Sequence, residues 1–89
     1  MKAKGIKAMM TALKAKGVNV CGTTDEFYGE KNDNNGIWVA AEYTPSLFDY
    51  YNEYWGDTFG VDPKLNTMVE DSGWYFEWHD AGTMMVWEN

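Results

Sequence analysis

Eighty-nine residues of 10.2 kDa, 45% of them hydrophobic, are enough for one core and too few for two. Seven lysines, no arginine and fourteen Asp and Glu give a net charge of −7, which excludes a protein built to grip a nucleic-acid phosphate backbone. One cysteine, Cys21, and one histidine, His79, exclude an internal disulfide and the multi-cysteine or His-rich metal centres, while 17% aromatic residues mark a folded chain rather than a disordered one.

The charge is segregated along the chain. Residues 1–18 carry five lysines and no acid, leaving two lysines and all fourteen acids for the remainder, a net −12. Within the basic segment Ile6, Met9, Met10 and Leu13 recur at helical spacing opposite Lys4, Lys7, Thr11 and Lys14, predicting an amphipathic helix over 2–16 closed by Gly17. Its apolar stripe is better suited to covering a sheet than to resting on lipid, because it is small and has no aromatic anchor. The recurring lysines leave no uninterrupted apolar stretch for a secretory signal, and no run approaches transmembrane length, so a cytoplasmic protein is expected.

Val18 and Val20 alternate with polar neighbours and open an extended stretch toward Phe27 and Tyr28. Glu30 to Gly36 reads as a polar loop, and Ile37 to Tyr43 as a second strand and hairpin partner, with its buried face left open by Trp38. Thr44-Pro45-Ser46 is a helix-start signal, followed by Leu47, Phe48, Tyr51 and Trp55 on one stripe and closed by Gly56. A loop with Phe59 as its anchor precedes a second start signal, Asp62-Pro63, and a short helix of about 63–72 with Leu65, Met68 and Val69 inward. Trp74 to Trp87 reads as a hairpin. The order helix-strand-strand-helix-helix-strand-strand predicts a single α+β domain: a four-stranded, mostly antiparallel sheet with helices on one face.

Chemical motifs are sparse. The segment from Lys31 to Glu42 resembles an EF-hand calcium loop aligned on Gly36, with Asp33, Asn35 and Glu42 in ligand places, but Lys31 stands where the family needs an acid and strands flank it where the family has helices. A polar turn accounts for it better. Cys21 and His79 have no orienting third residue, so Cys21 reads as a core thiol and His79 as a solvated turn residue. Neither an enzyme signature nor a cofactor motif emerges.

The acids offer more. Asp49 and Glu53 lie four apart on the predicted second helix, Asp57 and Asp62 continue the line, and Asp25, Glu26, Glu30 and Asp33 flank the first hairpin. They either solvate the surface or imitate phosphates for a basic groove on a partner. In the last hairpin, a three-residue loop Asp80-Ala81-Gly82, with Gly82 at positive φ, pairs Glu77 with Met85 and Tyr75 with Trp87. Phe76, Trp78, Met84 and Val86 then share a core face. Tyr75, Glu77, Met85 and Trp87 form an exposed strip, apolar but for the Glu77 charge, for a partner or a second copy of the chain, unless another segment folds over it or a two-residue Ala81-Gly82 loop shifts Met85 and Trp87 to the Trp78 side.

In size, charge and composition the chain resembles the small acidic inhibitors of phages and mobile elements: DNA-mimic, anti-restriction and anti-CRISPR proteins. The resemblance implies a non-enzymatic protein that blocks a basic, nucleic-acid-handling host complex without itself binding nucleic acid or membrane. The alternative is a small structural or adaptor subunit with a non-basic partner.

Overall fold

The computed structural model describes residues 5–31, 35–50 and 55–89. They form three helices and one antiparallel four-stranded sheet, the α+β class expected, but with two helices on one face of the sheet and a short one on the other, where all had been expected on one face. Helix α1, Ile6–Ala15, buries Met9 and Leu13 and exposes Lys7 and Lys14. It stops at Gly17, whose φ of 87° lets the Val18 N–H turn back onto the Leu13 carbonyl at 3.1 Å.

Strand β1, Val20–Thr23, pairs with β2, Ile37–Val39, so the first hairpin exists, but both strands are shorter than predicted. Cys21 sits at a bulge between Val20 and Gly22 and is exposed, not a core thiol. The expected extension to Phe27 and Tyr28 is instead helix α2, Thr24–Tyr28. Thr23 caps it in a reciprocal box: its hydroxyl accepts from the Glu26 N–H, and the Glu26 carboxylate accepts from the Thr23 N–H at 3.0 Å. Buried Thr24 ties the helix to the loop end, its N–H donating to the Gly36 carbonyl at 2.9 Å and its hydroxyl accepting from the Gly36 N–H at 2.7 Å. After β2 the chain turns through a 3₁₀ segment, Ala41–Tyr43, where extended backbone was expected.

The helix predicted from Thr44 onward does not form among residues 45–50; residues 51–54 lie outside those described. One turn is made, with the Leu47 and Phe48 N–H groups both donating to the Thr44 carbonyl. Phe48 then pairs antiparallel with Val61 and is buried edge-on against Phe76, with ring centroids 5.7 Å apart. Burying that ring through a bridge overrides a start signal followed by residues of weak helix propensity. Helix α3, Pro63–Asp71, follows the prediction: Asp62 Oδ1 accepts from the Lys64 and Leu65 N–H groups, and Leu65 and Val69 are buried.

Strands β3, Trp74–Asp80, and β4, Thr83–Glu88, complete a sheet of order β1-β2-β4-β3. The predicted register holds from Trp78↔Met84 through Tyr75↔Trp87, by another route than the one expected. The loop is the two-residue Ala81-Gly82, since Asp80 pairs with Thr83, and a bulge at His79 restores the alternation. Gly82 is not at positive φ; its Cα faces the Glu42 carboxylate, where an added Cβ would lie 3.0 Å from Oε2. The main core joins Met9 and Leu13 of α1 and Leu65 and Val69 of α3 to Ile37, Val39, Met84, Val86 and Trp74 of the sheet. On the opposite face α2 lays Phe27 across Trp38, with centroids 5.0 Å apart, and Met85 lies buried there between Trp38 and Glu77 in the ladder.

Candidate interaction surface

The surface with most chemical character among the described residues is a groove of about 510 Å³ between the loop after residue 55, the outer side of α3 and the edge strand β3. Tyr75 and Phe76 both line it although they alternate across β3, so it follows the strand's outer edge. A 3₁₀ turn, Gly56–Thr58, brings the loop round, and the Thr58 hydroxyl donates to the Val61 carbonyl across it. Phe59 follows at φ 53°, a left-handed conformation that disfavours a bulky side chain. The Trp78 indole N–H, donating to the Phe59 carbonyl at 2.6 Å, holds it there. Phe59 therefore anchors the loop through its backbone; its ring, expected to be the anchor, is 76% exposed.

Two carboxylates edge the same groove, Asp57 on the loop and Glu70 on α3, both exposed. Glu70 is oriented by the Asn66 amide, which donates to its Oε1 at 3.1 Å. Tyr50 adds its ring against Trp78, edge to face with centroids 5.2 Å apart.

The residues singled out in the sequence divide between the two faces. Asp57 and Tyr75 meet at the groove. Asp62 is occupied as the cap of α3. Asp49 lies in irregular chain beside the Phe48–Val61 bridge, so the helical like-charge pairing with Glu53 has no helix at its described end; Glu53 itself, like Asp33, lies outside the described residues. Asp25 and Glu26 form the first turn of α2, Glu26 being engaged in the capping box. Met85, expected on an exposed strip, is 1% exposed, because the predicted strand that would have left its face open is helix α2. Trp87 is half-buried over Gly36, where an added Cβ would meet its ring at 2.7 Å, and its indole N–H donates to Glu77 Oε1 at 3.2 Å. Of the strip's apolar side chains Tyr75 alone is open, at 39%, beside the exposed Glu77.

Cys21 and His79 sit at bulges on the two edge strands, three strand spacings or roughly 14 Å apart across the sheet. His79 instead stacks edge-on against Phe27, with centroids 4.9 Å apart. Asn35, one of the calcium-loop residues, accepts from the Asp25 N–H through its side-chain Oδ1 at 3.2 Å, whereas Glu42 faces Gly82 at the far hairpin. Among the described residues no group of three or more His, Cys, Asp or Glu converges as a metal site, and no helix is long and apolar enough to cross a membrane.

Sequence reasoning missed Phe59 as a surface residue and did not find Glu70 or Trp78. They share no local pattern, since the groove exists only once loop, helix and strand are assembled. No protein-family model, curated protein or solved structure matches the chain.

Proposed function

We propose that this protein is a non-enzymatic interaction protein that blocks a basic, nucleic-acid-handling partner in the cytoplasm through an acidic and aromatic surface, as anti-restriction and anti-CRISPR inhibitors do. The observation that carries the reading is the exposure of Phe59 and Tyr75 on one groove with the Asp57 and Glu70 carboxylates. Exposed aromatic rings are the groups enriched in interface cores, and carboxylates around them select a cationic counterpart. A groove evolved for phosphate, which meets one negative charge per roughly 1.7 Å of duplex axis, accepts a compact polyanion of this kind.

The test is capture on the immobilised protein from cell lysate at low and at high salt, with mass spectrometry of what is retained. A basic nucleic-acid-handling protein, held at low salt, lost at high salt and lost to the double variant Asp57→Lys, Glu70→Lys, is expected. Salt-insensitive retention of a neutral or acidic protein would overturn the reading in favour of an adaptor role.

A further inference from the structure

We infer that the groove beside β3 is a receptor for a single arginine side chain of the partner protein. This deepens the proposed function by naming the chemistry that the partner must offer. The lining supplies both halves of guanidinium recognition. Phe59, Tyr75 and Trp78 line the groove as residues whose rings carry π surface for a flat cation, and Asp57 and Glu70 as residues with carboxylate acceptors. Glu70 is already aimed by Asn66, so part of the ordering cost is met before binding. None of the described residues lining the groove is cationic, so no positive charge among them competes for the carboxylates.

The other occupants fit less well. An apolar side chain would desolvate Asp57 and Glu70 without pairing them, and a nucleotide would stack on the rings while its phosphate met the same two negative charges. Lysine brings the charge but not the plane: its ammonium cannot stack along its length or bind a carboxylate through two parallel bonds. The volume, about 510 Å³, falls within the ordinary range for ligand pockets. The left-handed Phe59 backbone, held by the Trp78 bond, lies on the groove itself, the kind of local strain found at ligand clamps.

Isotope-labelled protein titrated with five-residue peptides, each a central residue flanked by glycines with blocked ends, tests this by NMR. Arginine, lysine and citrulline peptides are compared, with the Trp78 indole N–H as reporter. Saturable shifts with arginine, binding of lysine weaker by about fivefold or more, and none with neutral citrulline are expected. Glu70→Gln and Phe59→Ala should each weaken arginine binding about tenfold, whereas Glu88→Gln, an equal charge change elsewhere, should not. Because Glu70 and Phe59 are exposed, unchanged melting temperatures will show that the variants fold. Equal binding of arginine and lysine, equal loss in Glu88→Gln, or no saturable shift overturns the assignment. The broader reading is judged separately: if a basic partner is still captured in a salt-dependent way by Phe59→Ala and Glu70→Gln, only the groove assignment falls. If arginine binds and no basic partner is captured, only the inhibitor reading falls.

Discussion

Met85 and Asp80 show how much a single position in one hairpin can carry. Met85 is 1% exposed on the face of the sheet that α2 covers, so Met85→Ala should remove about 2–4 kcal/mol of stability in urea denaturation. Tyr75→Ala on the same strip, at 39% exposure, should cost far less. The pairing of both residues was legible from alternation; the burial of one was not, because it depends on a helix that alternation had read as strand. Asp80 lies at the turn, where the Gly82 N–H donates to its Oδ1 at 2.9 Å and, as the main cause, holds its carboxyl below the ordinary value of 3.8. A carboxyl that is more acidic folded than unfolded stabilises the native state above the unfolded pKa and loses that contribution as pH falls through the folded one. The stability gap between the native protein and Asp80→Asn, which keeps the shape and drops the charge, should therefore be present at neutral pH. It should close below about pH 4, as read from denaturation midpoints across pH.

Among the elements, α1 and α3 were legible because each combines a helical apolar stripe with a terminal signal, Gly17 after one and Asp62-Pro63 before the other. Helix α2 has five residues, too few for periodicity to register, yet its capping signal stands in the sequence: Thr23 followed by Glu26 three places on, with Gly29 in the left-handed conformation after it. Thr23→Ala should cost about 1 kcal/mol and, by loosening α2 over Trp38, raise amide exchange around Met85. Exchange that rises nowhere near Met85 would show that the cap acts on α2 alone. The segment after Thr44 erred in the other direction. Its start signal makes one real turn, and the next choice belongs to Phe48, which gains more by pairing with Val61 and packing on Phe76 than by continuing a helix.

At the scale of the whole molecule, a net charge of −7 sits on a body of 35 × 31 × 20 Å, with exposed Lys7, Lys14 and Lys16 grouped on α1 and the turn after it, and only Lys31 and Lys64 exposed elsewhere among the described lysines. Self-repulsion of the acidic part opposes folding and is screened by salt over a Debye length of about 10 Å at 0.1 M. Moderate salt should therefore raise the melting temperature while weakening attachment to a basic partner, two opposite trends measurable on one sample. Charge segregation was plain in the sequence; its placement around a groove was not, since Asp57, Glu70 and Tyr75 belong to three elements that only the tertiary fold brings together.

The strand order also sets how the chain can assemble. β1 with β2, and β3 with β4, are each local hairpins, but β2 and β4 meet in the middle of the sheet through Ile37↔Val86, Trp38↔Met85 and Val39↔Met84, residues nearly fifty positions apart. Each half can form early at little loop-closure cost, whereas zipping the central seam requires closing the long intervening chain before any core contact repays it. The seam is thus the expected folding bottleneck. Ile37→Val should slow refolding in stopped-flow measurements by most of the amount it destabilises the protein, while a truncation within α3 such as Val69→Ala should act mainly by speeding unfolding.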